Sequence, residues 1–298
     1  MALAAAAARR APGATLVGGG AILLWSVLAL LTAQARDLPP FLLTALAFGV
    51  AFALALGKWL WRGENILAHC RLPARVWAVG VGGVGGYHVL YFLALRSAPP
   101  VEANLINYLW PLLIVLFSAF LPGERLRWFH LAGALTGLAG TALIVTGGRL
   151  VFHGEFLVGY LAALGCAAVW AAYSVLSRRL AAVPTDAVGA FCGVTAVLAL
   201  ACHLLFEAAA WPQRGEWLIV LALGLGPVGG AFYLWDFGVK RGDIRALGAA
   251  AYATPLLSTA LLVAFGIAVP SLALGVAALL VVAGAALGAG DLLYGRRS

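Results

Sequence analysis

The chain has 298 residues, of which 64% are hydrophobic and 10% charged, with a formal net charge of +8. Soluble domains carry about 25% charged residues, and no soluble core could hide this much apolar side chain, so most of the surroundings must be lipid. The basic residues stand singly or in pairs between apolar runs, with no basic face interleaved with aromatics, which argues against nucleic acid as a partner.

Residues 1–13 form a short Ala-rich flank containing Arg9 and Arg10. The apolar run 15–32 ends near Ala33-Gln34-Ala35, a sequence resembling a signal-peptide cleavage site. The run is longer than a typical signal core, however, and its Gly20-x4-Trp25 returns as Gly165-x4-Trp170, so it reads as the first membrane span. Nine further runs follow near 40–58, 76–95, 101–121, 129–147, 156–177, 187–206, 217–238, 246–266 and 271–290. Each is long enough to cross a hydrocarbon layer of about 30 Å. Prolines punctuate the gaps, at Pro39-Pro40, Pro73, Pro99-Pro100, Pro122, Pro184, Pro212 and Pro270.

The stretch 82–111 returns in weaker form at 226–255, which pairs Gly82 with Gly226, Gly86 with Gly230, Tyr91 with Trp235, Tyr108 with Tyr252 and Pro111 with Pro255. The chain therefore divides into residues 1–150 and 151–298, two five-helix units with the seam near Arg149–Glu155. With both termini cytoplasmic, fifteen Lys and Arg residues fall on inner flanks, among them Arg9, Arg10, Lys58, Arg125, Arg178, Arg179, Lys240, Arg296 and Arg297. Four fall outside, Arg36, Arg96, Arg149 and Arg214, a bias that sets the N-in, C-in orientation. An odd number of spans per unit makes the two units cross in opposite senses. The expected fold is an all-α polytopic membrane protein of ten helices, two inverted repeats around a central cavity, which is a transporter's plan.

Gly82-x3-Gly86, Gly226-x3-Gly230, Gly133-x3-Gly137 and Gly284-x3-Gly288 are expected to bring helices together within one chain, so a monomer with an internal pseudo-dimer is the expected assembly. Cys70, Cys166, Cys192 and Cys202 form no C-x-x-C and read as small hydrophobes. No metal or cofactor is called for. H-E-x-x-H, G-x-S-x-G and paired acidic motifs are missing, so an intramembrane enzyme is not expected.

Polar and aromatic side chains inside spans usually face a cavity or a partner. Tyr87 and Tyr91 share one face of the third span, with His88 beside them. Asn104, Asn107, Tyr108 and Pro111 make a stripe along the fourth, adjoined by Trp110. The two stripes are expected to face each other as a pocket of aromatic walls with a few hydrogen-bonding groups. Trp170 in the sixth span and Tyr252 in the ninth are added from the second unit, which also offers Tyr173, Ser174, Trp235 and Asp236. Trp25 could be an interior wall or a lipid-facing ring.

Pro111 removes the donor for the Asn107 carbonyl, and Pro255 does the same for Ala251. Such matched breaks point to a central transport site, as hinges or as freed carbonyls that hold an ammonium, although each proline alone could be a packing kink. His88 suits hydrogen bonding or proton movement, or is a neutral ring bonded to a nearby carbonyl. Asp236 is a structural ion pair with Lys240 and Arg241, or a proton relay.

Tyr87-His88 followed by Tyr91, the run Asn107-Tyr108-Leu109-Trp110-Pro111 and Trp170, set in this ten-span plan, resemble the drug/metabolite transporter superfamily with paired EamA-type domains. Within it, the resemblance is to the bacterial aromatic amino acid exporters. It implies export of aromatic and other neutral amino acids by alternating access across a bacterial inner membrane, with those residues lining the cavity. The alternative is a sibling carrier for another small neutral or cationic metabolite.

Overall fold

The computed structural model describes residues 12–32, 38–122, 126–149, 151–266 and 269–288. Arg9, Arg10, Arg36, Arg125, Arg296, Arg297 and Ala33-Gln34-Ala35 lie outside the described residues. Nine helices among those described are long and apolar enough to cross a membrane: α1 (Pro12–Thr32), α2 (Pro40–Trp61), α3 (Ala74–Ser97), α4 (Pro100–Ser118), α5 (Trp128–Thr146), α6 (Gly154–Arg179), α7 (Ala187–Phe206), α8 (Arg214–Arg241) and α9 (Ile244–Ala264). The tenth, α10 (Leu272–Gly288), has 17 residues and is shorter than the run read from sequence. Large apolar side chains stay exposed along them, Val197, Leu204, Leu218 and Leu279 among others. That is expected of a surface solvated by hydrocarbon.

Helix ends follow local chemistry. Pro40 and Pro100 stand in the first turns of α2 and α4, where a missing amide donor costs nothing. The start of α2 is capped from a distance: both Glu207 carboxylate oxygens accept, from the Phe41 amide at 2.9 Å and the Leu42 amide at 3.2 Å. Asp243 caps α9, its carboxylate accepting from the Arg245 and Ala246 amides. Gly147 ends α5 at φ 58°, a left-handed conformation that suits a residue without a β-carbon.

The helix contacts repeat. α5 packs along α10 and α2 along α7, while α3 packs on α6 as α1 packs on α8. α6 also holds α4, as α1 holds α9. Exchanging each helix for the one five places on maps this set onto itself.

The Gly-x3-Gly pairs divide in two. A β-carbon on Gly133 would stand 2.5 Å from the Gly288 nitrogen, and one on Gly284 would stand 2.6 Å from the Gly133 oxygen. These glycines let the backbones of α5 and α10 touch. Gly82 and Gly86 do not act this way, because a β-carbon on either would meet nothing within 4 Å. Their neighbours Gly80 and Gly83 take the close contacts instead, against Phe191 and Tyr173. Gly226–Gly230 correct the expectation differently: they form a π-helical turn inside α8, and Gly229 and Gly230 lie tightest against carbonyls of their own helix, at Gly224 and Leu225.

Candidate functional site

Two of the crossing helices are interrupted at matching places. α4 breaks at Tyr108–Leu109 and α9 at Ala251–Tyr252, in each case just before the proline. In α9 the turn tightens and the Thr254 amide donates to the Ala251 carbonyl at 3.0 Å, so that carbonyl is not free as the sequence suggested. In α4 the Leu109 amide donates to Ile106 in the same tightened manner.

Helical spacing sets Tyr87 and Tyr91 one above the other on α3, their rings stacked with centroids 5.9 Å apart and planes 11° off parallel. Facing them on α4 are Asn104 and Asn107. The Tyr91 hydroxyl donates to Asn104 Oδ1 at 2.7 Å, and Asn107 Nδ2 donates to the Tyr87 hydroxyl at 3.1 Å. Asn107 is buried and its Oδ1 has no hydrogen-bond partner. Tyr108, at the break just beyond, closes the first half of α4 through its amide bond to the Asn104 carbonyl.

Tyr87 joins this row to a second feature, its ring meeting Trp170 edge-on at 5.6 Å. Trp25, Trp110, Trp170 and Trp235, from α1, α4, α6 and α8, meet at one point. Trp25 lies 6.1 Å from Trp110, 5.7 Å from Trp170 and 5.1 Å from Trp235, and Phe232 packs on Trp25 and Trp170. Two of the indoles are fixed by hydrogen bonds. Trp25 Nε1 donates to the Pro227 carbonyl at 3.0 Å, a group presented by the π-helical turn of α8. Trp235 Nε1 donates to Ser174 Oγ at 3.0 Å, and that hydroxyl donates to the Trp170 carbonyl at 2.9 Å.

His88 points away from the row, one helical step round from Tyr87. Its ring meets Phe48 edge-on at 5.1 Å, and its Nδ1–H donates to the Val84 carbonyl at 2.8 Å. Tyr252 is also set apart. It is fully buried beside Val115, Ala134 and Val281, and its hydroxyl accepts the Leu112 amide at 3.1 Å, just past the α4 break. Asp236 is buried and paired with Lys240 at 2.8 Å, and it accepts from the Thr185 hydroxyl at 2.8 Å, so its geometry is that of an ion pair. Trp25 faces inward, which resolves its two readings.

Thus Tyr87, Tyr91, Asn104 and Asn107 come together, linked through Tyr87 to Trp170 and from Trp170 to Trp110, while His88 and Tyr252 lie beside this set rather than in it. Sequence reasoning left Phe232 out of the pocket, held Trp25 between an interior and a lipid-facing place, and offered Trp235 without assigning it to the site. The repeat carried the signal for two of them, since it pairs Trp25 with Trp170 and Trp235 with Tyr91. The assembled surface is aromatic, with neutral donors and acceptors and no fixed charge among the site side chains named. Among the described residues, no group of three or more His, Cys, Asp or Glu could hold a metal ion.

The EamA-like transporter family model matches twice, over residues 13–146 and 157–289. A protein named aromatic amino acid exporter YddG from Ancylobacter novellus is 57% identical, covering 92% of this chain and 96% of that one. Its namesake from Salmonella typhimurium is 27% identical over 83% of this chain and 87% of its own. A probable terminal-alkyne amino-acid exporter of Streptantibioticus cattleyicolor is 30% identical over 74% and 72%. One solved crystal structure, 56% identical, superposes with a TM-score of 0.89 over 94% of this chain and 97% of the other. The ten helices, their repeating contacts and these likenesses lead to one statement: the chain belongs to the EamA-like transporter family.

Proposed function

We propose that the protein exports aromatic and other neutral amino acids across a bacterial inner membrane by alternating access, with both termini cytoplasmic and residues 1–150 and 151–298 as inverted repeats. The observation that carries this reading is the meeting of Trp25, Trp110, Trp170 and Trp235 beside the Tyr–Asn row. An aromatic zwitterion needs flat apolar walls, ring faces for its ammonium and neutral donors for its carboxylate. These side chains supply all three without a fixed charge, and such a site disfavours strongly anionic cargo. Relatives named as amino acid exporters support the same cargo.

Alternating access draws support from how the helices meet. α4 touches α9 through its second half, Trp110–Ser118 against Ile244–Ala250. At the same end Arg178 donates to the Val239 carbonyl at 2.8 Å and the Gly242 carbonyl at 2.7 Å, and Lys240 donates to Val183 at 2.9 Å. The Lys and Arg bias assigns this end to the cytoplasm. The first half of α4, bearing Asn104 and Asn107, lies toward the other face and packs on α6, α5 and α3. Breaks at Tyr108–Leu109 and Ala251–Tyr252 let the two halves of each helix tilt separately, so Pro111 and Pro255 serve as hinges. The working unit is a monomer.

Proteoliposomes loaded in turn with labelled phenylalanine, tryptophan, threonine and a quaternary ammonium dye test the cargo. Saturable phenylalanine and tryptophan flux is expected. Movement of the dye alone would assign the protein to another class of carrier.

A further inference from the structure

The glycines Gly82 and Gly86 stand in the sequence like a helix-packing motif, yet no helix uses them. They floor a cavity of ≈ 280 Å³ bounded by α2, α3 and α7. On α3 the lining advances by single turns through Gly82, Gly85 or Gly86, and Val89, and on α7 through Thr195, Leu198 and Cys202. The cavity is therefore a trough parallel to the helix axes, about 10 Å long at 1.5 Å per residue. Its width is set by three glycines that contribute no side chain. Val89 and Leu198 on its rim are each 50% exposed, so the trough is continuous with the surface that faces lipid.

Its polar side chains are few: Thr44, His88, Thr195 and Cys202. The Thr44 hydroxyl donates to the Pro40 carbonyl at 2.8 Å, and His88 Nδ1–H is held by Val84. The Thr195 hydroxyl lies over Gly85, buried and without a hydrogen-bond partner. What remains is an elongated apolar slot at hydrocarbon depth, open sideways, aligned as membrane acyl chains are aligned. Water gains little in such a space, and the medium that reaches it is lipid tail.

We propose that this trough is a binding site for one phospholipid acyl chain, seated between α3 and α7 on Gly82, Gly85 and Gly86. His88 is the wall between that chain and Tyr87, their rings 5.3 Å apart, so the bound tail buttresses the face of α3 opposite the Tyr–Asn row. The site rests on the membrane-spanning fold alone and holds whatever the cargo is.

The test uses the full-length protein in nanodiscs containing a phosphatidylglycerol with a diazirine midway along one acyl chain, with photoadducts mapped by mass spectrometry. Adducts on 195–202 and 81–89 are expected to exceed those on the exposed α10 residues Val276, Leu279 and Val282. The double variant Gly82→Leu, Gly86→Leu fills the trough where a β-carbon meets nothing within 4 Å. In it the trough adducts fall to the α10 level while α10 labelling is unchanged. Equal labelling of trough and α10 in the wild type, or trough labelling indifferent to the leucines, overturns the proposal. So does displacement of the adducts by phenylalanine, which assigns the space to cargo, or rapid labelling of Cys202 by a water-soluble maleimide, which makes it aqueous.

Discussion

Trp235 on α8 gives its indole proton to Ser174 on α6 across 3.0 Å, and both residues are fully buried. The bond fixes the ring that packs 5.7 Å from Trp110 and 5.1 Å from Trp25. Ser174→Ala leaves this donor without a partner, a loss of about 1 kcal/mol by the usual worth of such bonds inside membrane proteins. Thermal unfolding of the purified protein is expected to show that loss. In a Trp235→Phe background, where no donor remains, Ser174→Ala is expected to cost less.

Asp236 and Lys240 form a buried pair, with side chains 2% and 6% exposed. Removing one partner from such a pair leaves the other charge uncompensated, at about 3–5 kcal/mol. Asp236→Asn is therefore expected to reduce the yield and melting temperature of folded protein sharply. The double variant Asp236→Leu, Lys240→Met should recover much of that loss. Equal damage in both would argue for a role beyond the pair.

Tyr252 separates a structural from a binding role. Its hydroxyl accepts the Leu112 amide and its ring packs on Gly137, so Tyr252→Phe is expected to cost about 1 kcal/mol of stability and to leave the KM for phenylalanine unchanged. A raised KM at unchanged stability would put the residue in contact with cargo.

Gly133→Ala drives a methyl group into the α10 backbone, so loss of folded protein is expected. Gly82→Ala meets open space, and wild-type melting is expected. Size-exclusion profiles and thermal unfolding check both.

The two glycine sites also show what could be read from sequence. A Gly-x3-Gly spacing announces that a close approach is permitted, not that a helix takes it: α10 takes it at Gly133 and no helix does at Gly82. Proline breaks were legible because the lost donor has a fixed place one turn back, and α4 and α9 do part at 108–109 and 251–252. The facing of Tyr87 and Tyr91 with Asn104 and Asn107 followed from helical period together with the cost of leaving polar groups against lipid. The partner of a freed carbonyl did not, since the tightening that gives Ala251 to the Thr254 amide depends on how each turn relaxes. The π-helical turn at Gly226–Gly230 has no period of its own in the sequence, and with it went the Trp25–Pro227 bond. A lone tryptophan in a span can face lipid or the interior, and for Trp25 only the match with Trp170 favoured the interior.

The central claim, that cargo passes through the Trp and Tyr–Asn surface, is tested most directly by phenylalanine efflux from proteoliposomes. Wild type is to be compared with Tyr91→Ala, Trp110→Ala and His88→Ala at equal amounts of inserted, folded protein. The account predicts saturable efflux in the wild type and losses of about tenfold or more in the Tyr91 and Trp110 variants, equivalent to about 1.4 kcal/mol or more. His88→Ala is expected to impair flux less. Wild-type efflux from all three variants would contradict the account and place the path elsewhere in the protein.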